Sequence, residues 1–338
     1  MKIIANRFSN ALYHIIEGWR QVFLRTGHEF NYINPKQENI VDVFNVYEPD
    51  MYIGTTYELN DAVKYCLNNR PEMIVLLKGN NYGSIDKEID TKKFPIGIAS
   101  ESEIKDVESL KRVDGIFNFY HKNRYFNTMN YWQEKFGIKL VEGLPAADTF
   151  NHTIEQKTKE LECDIGFVGG YWKYKAIELD KYILPLCYYV NRYNIKIFGN
   201  QPWPVPQFMG LCSNKTANKL FSSATICPNI SEPHAREFGF EVNERFFKLA
   251  ACKAFQISPK LESAEQDIFN NNEIVFVDSP DDFFDQVHNF VTNPDLRQPF
   301  IDSAYNTVIK NHTYIHRVRD MWETLGFKEE AKKCQELL

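Results

Sequence analysis

Midway along the sequence an apolar run, Ile165 to Val168, ends in the pair Gly169-Gly170, and a segment of helical composition follows. Glycines placed after a strand let a diphosphate approach the backbone, and the free N–H groups and dipole of the next helix favour an anion. Arg245 stands at the start of a predicted helix, where a guanidinium can pair bidentately with phosphate oxygens or form an ordinary salt bridge. Asn243 stands where a cap for that helix belongs. His234 lies in the polar loop "PNISEPHAREFG", residues 228 to 239, which leaves a strand and so faces the edge where ligands gather; it either contacts a phosphate or a leaving diphosphate or is a free, solvated loop histidine. Trp203, in "NQPWP", either stacks on a base or sugar or pins its own loop.

Other arrangements carry less chemistry. His312 and His316 are four apart and would share a helix face, a spacing that can hold zinc, yet no Glu follows the first His and no third ligand is apparent. The acidic run "DSPDDFFD" has the spacing of a capped helix start with Phe283 and Phe284 turned inward. No Asp-x-Asp stands at a strand end, so no metal site is expected.

These residues need a scaffold of strands that end at one edge. The first half alternates strands with helices: a strand at Lys2 to Ala5, a helix at Ala11 to Thr26 with apolar positions Leu12, Ile15, Ile16, Trp19, Val22 and Phe23, then strands near Phe30-Ile33, Met51-Gly54 and from Met73 in "MIVLLKGNN". Asn60 or Asp61 caps a helix to Asn68, and "FPIGIAS" and "GIFNFYH" read as two further strands. "KLVEGLPAADTFNHTIEQKTKE" loses periodicity and reads as a linker. The alternation then resumes, with a helix at Ala176-Val190, strands at Ile195-Gly199, Thr225-Pro228, Ala254-Ser258 and Ile274-Val277, and a helical tail. Such alternation predicts parallel βαβ units, and ligands of open parallel sheets sit outside the carboxyl ends of the strands.

Length and composition set limits. The chain's 338 residues exceed what one core holds, so two domains are expected: 1–150, 151–305, and a tail at 306–338. A net charge of −6 offers no broad attraction to nucleic acid or anionic lipid. Seven scattered cysteines without a CxxC pair point to buried thiols in a reducing compartment. No apolar stretch reaches ~18 residues, and the N-terminal segment lacks the continuous apolar region of a signal peptide; a soluble, cytoplasmic protein is expected.

"NERFFKLAACKAFQIS", residues 243 to 258, resembles a segment of the CgeB-type, spore-maturation-protein-like glycosyltransferases, in which an Asn-x-Arg-x-Phe-Glu helix leads through small residues into a buried strand. "DIGFVGG", the "IFG" ending at Gly199, Leu144, Pro145, Ala147 and Asp148 of the linker, and "HTYIHR" at 312–317 look like further landmarks, in order, over about residues 140 to 320. The resemblance implies a GT-B fold, an α/β architecture of two Rossmann-like domains facing across a cleft. It also implies a nucleotide-diphosphate sugar donor, with a UDP-sugar the first expectation, held mainly by the second domain, an acceptor held by the first, and no required metal or other cofactor. Donor contacts then fall to Gly169, Gly170, Gly199, Trp203, His234, Asn243 and Arg245. The family's ribose-binding Glu falls at Lys248, and the glycine of its "CG" pair at Lys253. An ammonium cannot accept from ribose hydroxyls, so the ribose role is assigned to Glu244, one turn earlier on the same face, with Lys248 directed to a phosphate.

If the transfer inverts configuration, a base from the first domain removes the acceptor's proton. Asn10, His14, Asn80 and Tyr82 occupy strand-end loops or the next helical turn, and of these His14 alone ordinarily titrates near neutrality; His234 is the second catalytic candidate. A hexosyl- or pentosyltransferase is the leading expectation. The alternatives are a nucleotide-sugar epimerase on the same scaffold and a non-catalytic binding or structural protein, the latter prompted by Lys248 and Lys253. The acceptor, whether glycan, protein, small molecule or modified nucleobase in DNA, stays open.

Overall fold

Short aliphatic runs followed by amphipathic segments fold here into parallel strands and their crossover helices. The computed structural model describes residues 1–8, 10–82, 97–188 and 192–338. They divide into two units, one of Met1–Leu144 with Tyr314–Leu338 and one of Pro145–Thr313. The expected tail is thus shared: residues 306–313 fold with the second unit, and the remainder with the first.

The first unit holds β1 (Lys2–Asn6), β2 (Glu29–Ile33), β3 (Met51–Thr55), β4 (Ile74–Lys78), β5 (Gly115–Asn118) and β6 (Lys139–Glu142). Their order is β2-β1-β3-β4-β5-β6, with every pairing parallel. All residues of β3 and β5 are buried, as a parallel sheet covered on both faces requires. Helix Asn10–Arg25 buries Ile15, Ile16, Trp19, Val22 and Phe23, the stripe that its sequence period predicts. Asn60 caps helix Asp61–Asn68 by accepting from the Val63 N–H. Helices Tyr314–Leu325 and Lys328–Gln335 return to this unit, where Trp322 is buried edge-on against Phe23 with ring centroids 5.8 Å apart.

The second unit holds β7 (Cys163–Val168), β8 (Ile195–Phe198), β9 (Ala224–Pro228), β10 (Gln256–Pro259) and β11 (Val275–Val277). Read from β8, the order is β8-β7-β9-β10-β11, again all parallel. Its core joins Ile165, Phe167, Leu179, Tyr182, Ile197, Trp203, Ile257 and Phe283.

In each sheet the first strand lies between the second and the third. The loops leaving the first and third strands therefore part in opposite directions, and the crevice between them is the switch point where open α/β sheets bind ligands.

Several expectations need correction. "KLVE" is not linker but strand β6, paired with β5. Within "PNISEPHAREFG", residues Pro233–Phe238 form a short helix entered by Pro233 at its first turn. The predicted "FPIGIAS" strand falls partly outside the described residues, and Ile98 makes one bridge, to Asn81; the predicted end of a helix at Val190 also lies outside them. His312 ends helix Gln298–Asn311 and packs on Phe247, while His316 is buried in the next helix, so the two do not share a helix face. All seven cysteines are free, and burial pushes the thiols of Cys163, Cys252 and Cys334 up to about 12. Among the described residues, no helix is long and apolar enough to cross a membrane.

Candidate functional site

The second unit's switch point, between the carboxyl ends of β7 and β9, is where its candidate residues meet. Gly169-Gly170 leaves β7, and the Gly169 N–H donates to the Phe198 carbonyl of β8 at 2.7 Å. Gly199, at the end of β8, lies so close that an added Cβ would collide with the Gly169 carbonyl; backbone leaves no room for a side chain. At Gly170 a Cβ would meet Asn200 Oδ1 at 2.5 Å. The paired glycines and Gly199 thus let two strand ends close over each other.

Trp203 takes the second of its two expected roles. It is 5% exposed, packs on Phe167 and Tyr171, and donates from Nε1 to the Gly169 carbonyl at 2.8 Å. Its ring pins the glycine turn.

Arg245 bridges the switch point. Its guanidinium donates to the Val168 carbonyl at the end of β7 (2.9 Å) and to the Ile230 carbonyl beyond β9 (3.3 Å), and lies 4.8 Å from the centroid of the Phe167 ring. Burial lowers its pKa to about 10, against the opposing pull of Glu232 and Glu244. Asn243 holds the arginine's backbone: its Oδ1 accepts from the Arg245 N–H at 3.0 Å and its Nδ2 donates to Ser231 Oγ at 2.9 Å. The helix cap itself is Glu244, one residue later than expected.

Sequence reasoning passed over Lys175. It sits in the first turn of helix Lys173–Tyr182, which follows the glycine turn, has no side-chain cap and carries no acidic residue in that turn. The helix's first N–H groups are therefore unclaimed by its own sequence. The Lys175 side chain is 11% exposed and its Nζ lies 3.5 Å from Glu232 Oε1. Burial, then the neighbouring charge of Arg245, lowers its pKa to about 8, with Glu232 opposing. The visible signal in the sequence is a lysine five residues beyond Gly170; its partners come from 57 and 70 residues further on, which periodicity does not show.

The remaining candidates are tied to protein partners. His234 lies with Nε2 3.0 Å from Glu241 and Nδ1 3.1 Å from the Tyr174 hydroxyl, and stacks on the Tyr174 ring. Burial alone would lower its pKa, but the Glu241 hydrogen bond and charge, with Glu232, raise it overall. Both ring nitrogens of His234 are thus engaged by protein partners. Glu244 Oε2 is 3.4 Å from Lys248 Nζ, the i,i+4 pair that the spacing predicts. Lys253 occupies the left-handed region (φ 54°) that its place after helix Arg245–Ala251 demands, where the resembled family has glycine. It pairs with Asp302 at 3.0 Å.

In the first unit His14 is exposed on helix Asn10–Arg25, with its ring beside Tyr13. Asn80 donates to Glu103 at 3.1 Å, and Tyr82 packs on Trp132. Among the described residues, no group of three His, Cys, Asp or Glu side chains is placed to hold a metal ion.

The second unit thus sets two desolvated cations, Arg245 and Lys175, against a glycine turn and an uncapped helix N-terminus. That combination offers charge and N–H donors to an anion with several oxygens, such as a diphosphate.

Residues 184–323 match a family model described as glycosyl transferase-like. No curated protein sequence matches the chain. Among solved structures, the chain is similar to sucrose-phosphate synthase from Thermosynechococcus elongatus, with a TM-score of 0.65 at 8% identity over 100% of this chain and 98% of that one. It is also similar to an alpha-glucosyltransferase in complex with UDP and a 13-mer DNA, at 0.65 and 12% identity over 96% and 99% of the two chains. T4 phage BGT, in complex with UDP and Mn2+, matches at 0.55 and 12% identity over 98% and 99%. The chain has the GT-B fold, and its residues 184–323 are similar to a glycosyl transferase-like family.

Proposed function

We propose that the chain transfers a sugar from a nucleoside diphosphate donor, a UDP-sugar, to an acceptor hydroxyl, as a member of the CgeB-type group that its landmarks resemble. The observation that carries this reading is the gathering of two buried cations at the switch point of the second sheet, Arg245 on the carbonyls of Val168 and Ile230 and Lys175 beside Glu232 in the first turn of an uncapped helix. Glu232 is shared between these two cations and offsets only part of their desolvation, so a bound anion would supply the charge they still lack.

The chemistry follows. As the bond from the sugar's anomeric carbon to the diphosphate oxygen breaks, the electron pair and negative charge pass to the leaving diphosphate, the acceptor oxygen bonds to that carbon, and its proton goes to a base if configuration inverts or to the leaving diphosphate oxygen if it is retained. Lys175, Arg245 and the N–H groups of residues 173–175 meet the growing charge with fixed donors, which stabilise the transition state without reorganising. Asn243 and Trp203 hold the arginine and the turn in place. Glu244 supplies a carboxylate for ribose hydroxyls, with Lys248 fixing its position. Because two protein cations supply the neutralising charge, transfer proceeds without added divalent metal.

The test is release of UDP from a panel of UDP-sugars by the purified chain, with and without EDTA. Sugar-dependent UDP release that survives EDTA is expected; no release from any donor, together with no binding of UDP, sinks the reading.

A further inference from the structure

Strand β8 is the last named strand on its side of the second sheet, and a short segment, residues 207–210, runs parallel along its outer side. The Ile197 N–H donates to the Gln207 carbonyl at 3.1 Å, the Met209 N–H to the Ile197 carbonyl at 2.7 Å, and the Gly199 N–H to the Gly210 carbonyl at 3.0 Å. These bonds leave the alternate backbone groups facing outward. Among the described residues, the Phe208 carbonyl and the Gly210 N–H have no hydrogen-bond partner. Phe208 packs with Ile197 in the core, so the alternation of side chains along an extended segment sends Met209 to the opposite face.

The surface at this edge is apolar and uncharged. Met209 is 56% exposed and Leu211 77%; Tyr188, 65% exposed, follows Cys187, whose carbonyl accepts from Gln207 Nε2 at 2.9 Å. Residues 197–214 contain no Asp, Glu, Lys or Arg, although a quarter of the chain is charged. Free sheet edges are ordinarily guarded by charged side chains, and this one has none. Pro202, Pro204 and Pro206, which lack an N–H, guard only the approach to it.

Charge and register identify the occupant. A two-fold contact sets a residue on the axis against its own copy, so like charges would meet there; a patch without charge avoids that repulsion in a chain of net charge −6. An outward C=O at one residue and an outward N–H two residues later are the groups that flank a non-hydrogen-bonded pair in an antiparallel ladder. Centred on Met209, the segment is therefore complementary to itself: each Phe208 carbonyl can accept from the Gly210 N–H of the other copy, and the two Met209 side chains meet. A foreign strand would gain no further bond upstream, because Pro206 has no N–H to offer.

We propose that this edge docks a second copy of the chain, joining two second-unit sheets across a two-fold axis at Met209. Two backbone hydrogen bonds and the Tyr188, Met209 and Leu211 side chains of each copy make the contact. That is smaller than the roughly 20 to 30 residues a side of a standard interface, so the dimer is weak and depends on concentration. None of these residues belongs to the donor site.

The test is sedimentation velocity of the full chain without ligand, over roughly 1 to 300 µM, a span that brackets a weak, small interface. The weight-average sedimentation coefficient should rise from that of one chain towards that of two. Met209→Lys and Met209→Asp, at an exposed side chain, should leave the melting temperature of dilute protein unchanged. Each should weaken self-association at least about tenfold, because like charges then face each other across the axis. Mixing the two variants should restore association, since the facing charges then attract. A wild type that stays monomeric throughout overturns the proposal and leaves the edge to a strand of another protein. Dimerisation that both variants retain, or a mixture that associates no better than either variant alone, puts the contact elsewhere and overturns it as well.

Discussion

Lys175 gives the sharpest quantitative test, because at neutral pH the fold holds its ammonium at a cost that a bound anion would lessen. Its pKa falls from the ordinary 10.5 to about 8 through burial and the charge of Arg245. A folded value below the unfolded one means that the fold favours the neutral amine. The penalty is complete below pH 8 and fades as pH rises from about 8 towards 10.5. The drop corresponds to about 3 kcal/mol, and the side chain is only 11% exposed, so solvent screens little of it. Lys175→Met keeps an unbranched chain of similar length and removes the charge. Glu232 loses its partner but is 35% exposed and stays solvated. The ligand-free variant should therefore unfold in urea at pH 7 with stability raised by as much as about 3 kcal/mol. Its affinity for UDP should fall by at least tenfold, since a hydrogen bond to a charged group contributes about 1.5 to 3 kcal/mol. In the wild type, UDP affinity should decline as pH climbs through 8, and binding at pH 8 should take up a proton, seen as a dependence of the calorimetric heat on the buffer's ionisation enthalpy. A less stable Lys175→Met that binds UDP within twofold of wild type refutes the reasoning.

Gly199→Ala forces a methyl group into the Gly169 carbonyl, so chemical denaturation should show a loss of several kcal/mol, beyond the usual range for surface changes. Trp203→Phe keeps the packing on Phe167 and Tyr171 but deletes the hydrogen bond to Gly169; about 1 kcal/mol of stability should go, and a wild-type melting curve would show the bond to be unimportant. Lys253→Gly relieves a left-handed conformation that costs a side chain roughly 1 kcal/mol and loses a half-exposed ion pair that contributes less. A small gain in stability with unchanged UDP affinity is expected, and a loss above 1 kcal/mol contradicts the reading of Lys253 as a helix stop.

What the sequence shows of this protein divides by range. The βαβ alternation, the Gly169-Gly170 turn and the Glu244–Lys248 pair are local patterns, and local spacing is enough to place them. Strand β6 is missed because it has four residues with exposed Lys139 at its start and pairs only with β5, so it lacks the apolar run that marks a central strand. Helix Pro233–Phe238 is too short to show a period. The role of Trp203 depends on a carbonyl 34 residues earlier, and that of Lys175 on Arg245, 70 residues later; only the folded sheet joins them. Lys253 looks like a damaged motif in the sequence, yet its backbone keeps the conformation that glycine would adopt. His234 looks like a free loop histidine and is instead held at both nitrogens.

The most direct measurement is isothermal titration of UDP into the wild-type chain and into Lys175→Met and Arg245→Ala, at pH 7 and fixed salt. A single site on the wild type and at least tenfold weaker binding by each variant are expected. Absence of binding to the wild type, or equal affinity in all three proteins, would contradict the claim that these two cations form a nucleoside diphosphate site.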